Sequence, residues 1–165
     1  MKDRKYTVET AGGKIEEFLS DVIAKAGFDL DFKISDGQAT QRDFENPDIA
    51  VHFSGRDVDL LLANRAELLL ALEYLTMEPL TIPGTEQDRI CFDANDYRAL
   101  RIEELRMSAQ AAAERVKSTG RPFEFGPMTS RERRIIHLAL RHEEAVRSES
   151  AGVGPGRHAV IYPAG

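Results

Sequence analysis

The sequence predicts an α+β protein in which helices cover one face of a three-stranded sheet. Over the first 95 residues the apolar pattern changes between a helical period and a two-residue alternation, in the order helix, strand, strand, helix, helix, strand. Shorter elements follow in the C-terminal half. A composition of 42% hydrophobic and 30% charged residues is typical of a globular protein rather than a disordered chain.

Each element of the N-terminal half has its own signal. Apolar residues from Ile15 onward recur at helical spacing until Gly27 ends the pattern. Strands are predicted where apolar and polar residues alternate, and short helices where leucines recur at three and four residues. The predicted elements are strands at 28–34 and 49–53, a loop at 35–47, helices at 57–62 and 67–76, and a strand at 89–92. Residues 1–13, which end in two glycines, are predicted to be a flexible arm.

In the C-terminal half, cap residues at 93–96 predict a long helix that reaches about Ser118. Thr129, followed three residues later by Glu132, is a capping-box pattern and predicts a second helix. Short strands are predicted at 123–125, near 145–148 and at 158–162.

The second helix carries a cationic stripe. Arg133, His137 and Arg141 follow i, i+4 and i+8, with Arg134 at their flank, and isoleucines occupy the opposite face. Arginine offers a planar fork of donors that suits phosphate, and histidine can donate or stack. The alternatives are a solvated amphipathic helix, and pairing of Arg134 or Arg141 with nearby glutamates. Arg157 follows a glycine-rich turn, and either folds back beside this helix or is an ordinary hairpin arginine.

The charge is unevenly divided. Residues 1–95 contain 10 Lys and Arg against 19 Asp and Glu, a net charge of −9, whereas residues 96–165 contain 12 against 9, a net charge of +3. The N-terminal half should repel a polyanion and the arginine-rich C-terminal half should attract one. No metal-ligand spacing, nucleotide loop or catalytic constellation comes with enough context to indicate an enzyme, a metal or a cofactor.

Compartment signals favour the cytoplasm. Cys91 is the one cysteine, so no intrachain disulfide framework exists, which is typical of a reducing compartment. No apolar run approaches the roughly 20 residues that a bilayer span needs. The polar start lacks the apolar core of a signal peptide.

Several fixed-spacing motifs together resemble the Jag family of bacterial RNA-binding proteins (KhpB, SpoIIIJ-associated). They are Asn95-Asp96-Tyr97-Arg98, Gly126-Pro127-Met128, Glu132 to His137, and the string from Val146 through Gly152, Pro155 and Arg157 to Ile161. The resemblance covers nearly all of residues 14–163. It implies a type II KH domain at 14–94, followed at 95–165 by a small α/β R-three-H domain, whose Arg-x-x-x-His signature Arg133 and His137 match.

The KH half departs from the family pattern. A KH domain carries a Gly-x-x-Gly loop that clamps the nucleic-acid backbone, but the corresponding residues here are Ala63, Asn64, Arg65 and Ala66. A Cβ at both glycine positions should obstruct that approach and disfavour positive φ. A structural role, or a surface for another protein, is therefore expected of this half.

The resemblance and the charge division lead to one functional expectation. The chain should bind single-stranded RNA mainly through the R-three-H domain, as a post-transcriptional regulator, with Arg133, His137, Arg134, Arg141 and Arg157 as the contacting residues. A small KH-domain protein or a second copy of the chain is the expected protein partner, and no membrane is expected. The alternatives are a protein-interaction adaptor that has lost RNA binding, or a protein that binds single-stranded DNA.

Overall fold

A computed structural model describes residues 4–37 and 44–165, and the chain divides between Arg98 and Ala99 into two units. The elements in chain order are α1 (Gly13–Ala26), β1 (Asp31–Asp36), β2 (Ile49–Ser54), α2 (Val58–Leu80), β3 (Ile90–Ala94), α3 (Tyr97–Thr119), β4 (Phe123–Glu124), α4 (Ser130–Ala139), β5 (Val146–Ala151) and β6 (His158–Pro163). The predicted loop at 35–47 and arm at 1–13 lie partly outside the described residues.

The N-terminal unit contains a mixed sheet of β1, β2 and β3 in that order. β1 runs antiparallel to β2, with Phe32 opposite Phe53, and β2 runs parallel to β3, with Val51 opposite Phe92. The helices bury their apolar residues in the same core as this sheet: Ile15 and Leu19 from α1, and Leu61 and Leu69 from α2, are all 0% exposed. The predicted α+β class is confirmed.

The end of α1 explains why β1 begins later than predicted. Gly27 adopts a left-handed conformation with φ 70°, and its N–H donates to the last turn of the helix. The N–H of Phe28 then donates to the Ile23 carbonyl at 3.2 Å, so Phe28 completes the helix stop. The predicted strand start at 28 is therefore too early, and β1 begins at Asp31.

The predicted flexible arm is wrong for residues 4–13. The carboxylate of Asp48, which is 1% exposed, accepts from the N–H groups of Lys5 and Tyr6 at 3.1 and 3.4 Å. Glu86 accepts from Lys5 Nζ at 2.7 Å and from the Tyr6 hydroxyl at 2.6 Å. A π-helical turn at Val8–Gly12 leads into α1. A buried carboxylate needs donors, and this segment supplies two of them.

Buried charges tie the end of the N-terminal unit to its sheet. Arg98, 8% exposed, donates to the Phe92 carbonyl at 2.6 Å, to Glu45 at 3.1 Å and to Glu73. Glu73 also accepts from the Phe92 N–H at 2.7 Å. Burial by itself would lower the pKa of Arg98, but Glu73 and its other acidic neighbours outweigh that effect and raise it. Arg98 is thereby fixed to β3 and α2.

The C-terminal unit contains an antiparallel sheet in the order β4, β6, β5. Ile161 in the central strand lies opposite both Phe123 of β4 and Ser148 of β5, so these three side chains share one face of the sheet. Ile161 and Ile136 of α4 are both 0% exposed. β5 continues to Ala151, past the predicted limit of 148, because it pairs with β6 along its whole length.

Candidate nucleic-acid interface

A complete capping box positions α4. The Thr129 hydroxyl accepts from the Glu132 N–H at 3.2 Å, and the Glu132 carboxylate accepts from the Thr129 N–H at 2.8 Å. The other carboxylate oxygen of Glu132 accepts from the Arg101 guanidinium of α3 at 2.7 Å. The helix start predicted from the sequence is confirmed, and its anchor to α3 fixes where the following turns point.

The two faces of α4 have the predicted division, except that the helix ends at Ala139, so Arg141 lies in the following turn and not on the helical stripe. Ile135 and Ile136 are 3% and 0% exposed and face the core. Arg133 and His137, one turn apart, are half-buried on another side, whereas Arg134 and Arg141 are exposed. The Arg141 Nε donates to the neighbouring His142 Nε2 at 3.0 Å.

Arg133 and His137 join two serines of β5 in what we term the serine network, made of Arg133, His137, Ser148 and Ser150. Arg133 Nε donates to the Ser150 hydroxyl at 3.2 Å, and its Nη1 donates to the Met128 carbonyl at 2.9 Å. His137 Nδ1 lies 2.7 Å from the Ser148 hydroxyl, and its Nε2 lies 3.1 Å from the Ser150 hydroxyl. Every partner of the two stripe residues in this network is uncharged.

Sequence reasoning missed both serines. Ser148 and Ser150 are two residues apart in β5, so both point to the face on which α4 packs. Their alternation with Arg147 and Glu149 was a usable signal, because two small hydroxyl residues on the apolar face of a strand need polar partners. Arg133 and His137 are those partners.

The network shifts the pKa values of its two ionisable members in the same direction. Burial, followed by the charge of Arg157, lowers the pKa of Arg133. Burial, followed by the charge of Arg133, lowers the pKa of His137 below its usual 6.5. Neither shift includes a carboxylate among its causes. At neutral pH the imidazole is therefore uncharged, while the guanidinium keeps its proton.

A tight turn brings Arg157 towards Arg133. Gly152 has φ +80°, and a Cβ there would lie 2.8 Å from the Gly156 carbonyl oxygen, so this turn requires glycine. The Met128 N–H donates to the Arg157 carbonyl at 3.1 Å, which fastens the turn beside the start of α4. The exposed Arg157 side chain is close enough to perturb Arg133. Arg157 thus lies beside the helix rather than out on a detached hairpin.

Within residues 4–37 and 44–165, neither Arg133 nor Arg157 forms an ion pair with a carboxylate. Other cations of the same unit do: Arg106 pairs with Glu103 at 2.9 Å, and Lys117 pairs with Glu143 at 2.5 Å. Glu103 and Glu143 are thus paired with other cations, and no carboxylate of the described residues neutralises Arg133 or Arg157 by an ion pair. Such guanidiniums are suited to bind an anion.

In the N-terminal unit, the loop without glycines interrupts α2 where the two predicted helices meet. Asn64, Arg65 and Ala66 have φ of 52°, 61° and 59°, and Ala63 keeps φ −59° with ψ 152°. The Tyr97 hydroxyl donates to the Arg65 carbonyl at 3.1 Å. The loop therefore adopts the left-handed backbone that its side chains were expected to disfavour, with Ala66 fully buried and its neighbours exposed.

Two further features are absent from the described residues. Among the helices of residues 4–37 and 44–165, none combines the length and apolar character needed to cross a bilayer. The same residues contain no cluster of three or more His, Cys, Asp or Glu side chains placed to hold a metal ion.

Comparison with known proteins places these observations in a family. The R-three-H domain family matches residues 103–163. The chain is 31% identical over 153 residues to the RNA-binding protein KhpB of Clostridium symbiosum, covering 93% of this chain and 66% of that protein. It is 34% identical over 115 residues to KhpB of Bacillus subtilis, covering 68% and 55%, and 27% identical over 158 residues to KhpB of Lactiplantibacillus plantarum, covering 96% and 47%.

The chain thus spans between about half and two thirds of the length of these curated relatives. The match to the R-three-H domain contains α4, both serine-bearing positions of β5 and Arg157. The chain belongs to the KhpB (Jag) family and carries its R-three-H domain.

Proposed function

We propose that this protein binds single-stranded RNA through residues 99–165 and acts as a post-transcriptional regulator, without catalysing a reaction. The observation that carries the proposal is the half-buried guanidinium of Arg133, whose pKa is lowered by burial and then by the charge of Arg157, and which donates only to uncharged oxygens. Like charges held together cost free energy unless a bound anion offsets it. RNA phosphate is such an anion, and the curated relatives are named RNA-binding proteins.

The half-buried polar groups of the site favour contact with the backbone of a single strand rather than recognition of its bases. Arg133 and His137 are half-buried, so they present short polar ends rather than long side chains that reach into a groove. Contacts of this kind bind phosphate and sugar, and they position a strand without reading its sequence. Arg134, exposed on the same helix, and Arg141, exposed in the turn that follows it, extend the proposed track at its edges.

The N-terminal unit has a structural or protein-binding role in this proposal. Its half of the sequence has a net charge of −9, which disfavours a polyanion. Side chains occupy every position of the loop at Ala63, Asn64, Arg65 and Ala66, where glycines would allow a nucleic-acid backbone to approach. Leu60, Tyr74 and Leu75 on α2 are about half exposed, which supports a protein partner there. That partner, a small KH-domain protein or a second copy of the chain, belongs to the same proposal, as does a cytoplasmic location.

The test is a fluorescence-anisotropy titration of a labelled single-stranded RNA at pH 7.5 and low salt. The variant is Arg133→Gln with His137→Gln, and its matched control is Arg147→Gln. At this pH each removes one positive charge, because His137 is neutral. Arg147 pairs with Glu149 and packs over Tyr162, on the sheet face opposite the serines.

We expect the double variant to lose at least about tenfold in affinity, since a hydrogen bond to a charged group contributes roughly 1.5–3 kcal/mol. The Arg147 control should bind as the wild type does. Equal losses in both variants would mean that overall charge, and not this site, is responsible. Urea unfolding of each variant verifies that the fold is retained.

The same titration with DNA of identical sequence separates the remaining alternatives. Preference for RNA supports the proposal, and equal binding would identify a general single-strand binder. Absence of binding to either nucleic acid at low salt would favour the adaptor function, and light scattering of the purified chain would then test whether its partner is a second copy.

A further inference from the structure

We propose that Arg133, Ser150, His137 and Ser148 form a hydrogen-bond relay with a fixed direction, which presents the Ser148 hydroxyl as a donor to the sugar–phosphate backbone of a bound strand. That the relay contacts RNA rests on the proposed function above, but the direction of its hydrogen bonds is a property of the free protein. Ser148 and Ser150 become positioning and contacting residues that the Arg-x-x-x-His spacing alone does not reveal.

The direction begins at Arg133. A guanidinium only donates, so the Ser150 oxygen, 3.2 Å from Nε, must accept this hydrogen bond. The positive charge attracts the lone pairs of Ser150 and orients its hydroxyl hydrogen away from the guanidinium. The other neighbour of that hydroxyl is His137 Nε2 at 3.1 Å. Ser150 therefore donates to Nε2, and each bond in such a chain polarises the next.

The imidazole transmits this direction. If Nε2 accepts, a neutral His137 carries its proton on Nδ1, and Nδ1–H donates to the Ser148 hydroxyl at 2.7 Å. The Ser148 oxygen is then an acceptor, and its own hydrogen remains for another partner. In the described part of the chain the bond to His137 is the one hydrogen bond of this hydroxyl. Half-buried Ser148 is accessible to a ligand.

The reverse direction of the relay leaves one hydrogen-bond donor of the network without an acceptor. If Nε2 carried the proton, both Arg133 and His137 would donate to the same Ser150 oxygen. The Ser150 hydroxyl hydrogen would then lack an acceptor within the network, and the Ser148 hydroxyl would donate to Nδ1 of His137. A protonated His137 would impose the same two donors on Ser150. The lowered pKa of His137 agrees with the neutral form.

Surrounding charges do not oppose this assignment. Arg133 is the charged group that acts on His137 from its own helix. On β5 the charged residues Arg147 and Glu149 alternate with the two serines, and so lie on the other face of the strand. On β6 the residues opposite Ser148 and Ser150 are Ile161 and Ala159.

The first experiment measures the tautomer of His137 in the free protein. Long-range proton–nitrogen correlation spectra at pH 7.5 distinguish a protonated Nδ1 from a protonated Nε2. We expect protonated Nδ1 in the wild type, and a loss of this preference in Ser150→Ala, which removes the donor to Nε2. A protonated Nε2 in the wild type would overturn the relay, whatever the protein binds.

The second experiment tests the presented hydroxyl with a labelled oligouridylate as the probe. Ser148→Ala should weaken binding by about 2- to 10-fold, the range of one ordinary hydrogen bond, whereas Ser148→Thr keeps the hydroxyl and should retain affinity. Ser108→Ala, exposed in the middle of α3, is the control and should change nothing. Unchanged affinity in Ser148→Ala would overturn the contact, and failure of the wild type to bind would instead overturn the proposed function.

Discussion

At the scale of single residues, the environment of Arg133 differs from that of several other arginines in the described part of the chain. Arg98, Arg101 and Arg106 each donate to a carboxylate. Arg133 is half-buried, yet it donates to a hydroxyl and a carbonyl and lies near another arginine. A charge held this way is poorly compensated within the protein, and an anion would compensate it.

His137 gives a prediction that needs no ligand. Because burial and then Arg133 lower its pKa, the unfolded chain takes up the proton at a higher pH than the folded protein does. Its contribution to stability is fully present above the unfolded value of about 6.5 and is lost as the pH falls through the lower folded value. Urea unfolding of wild type and His137→Gln should therefore differ in a pH-dependent way only below about 6.5.

A pH-independent difference between these two proteins would show that His137 is not held in its neutral form. Arg133 stays charged over the whole range, so its hydrogen bonds do not add to the effect. His142 and His158, present in both proteins, cancel in the comparison.

At the scale of elements, the break in α2 shows a backbone conformation held without the residue that favours it. Three successive residues at 64–66 are left-handed, and this conformation costs roughly 1–2 kcal/mol at a residue such as Arg65 or Ala66, although asparagine tolerates it better. Flanking helices with buried Leu61 and Leu69, and the hydrogen bond from Tyr97 to the Arg65 carbonyl, hold the turn in place. Tertiary packing here outweighs local preference.

Glycine should relieve part of this strain at an exposed position. We expect Arg65→Gly to raise the free energy of unfolding by about 0.5–1 kcal/mol, because the relief at φ 61° exceeds the entropy that glycine loses on folding. Ala63→Gly is the matched control: Ala63 has φ −59° in the same loop, so glycine there should lower stability by about 0.5–1 kcal/mol. Urea unfolding measures both changes. If the two variants changed the free energy of unfolding in the same direction, backbone strain at residue 65 would be excluded as the cause.

At the scale of the whole molecule, charge is divided between the two ends of one chain. The acidic N-terminal half raises the cost of bringing a polyanion to the protein, and the arginine-rich half lowers it. Binding that depends on a few cations in a chain of net charge −6 should be weak at moderate salt. Salt dependence is therefore a measure of the proposed site.

We expect the logarithm of the RNA association constant to fall with the logarithm of salt concentration at a slope of about −2 to −3, for about three to four phosphate contacts. Removing one contact with Arg157→Ala should reduce the magnitude of the slope by about 0.7. Arg147→Gln should leave it unchanged. A slope near zero for the wild type would exclude a phosphate-based interface.

Much of the α4 region could be predicted from local sequence. Thr129 and Glu132 specify the helix start through groups three residues apart, and Arg133 and His137 share a face because a helix repeats every 3.6 residues. The α+β class followed in the same way from apolar periodicity. Family resemblance added the expectation about function, which neither spacing nor composition could provide.

Other features of the site depend on residues that are distant in sequence. Ser150 meets Arg133 across 17 residues, and the arm at residues 4–13 is held by Asp48 and Glu86. The left-handed turn at 64–66 contradicts the preference of its own side chains. The sequence by itself determined the elements, their faces and the charge of each half, because those follow from interactions within a few residues. Only the tertiary structure decided which hydroxyls meet the histidine and where Arg157 lies, because the register of β5 against β6 and the packing of α4 on that sheet set those distances.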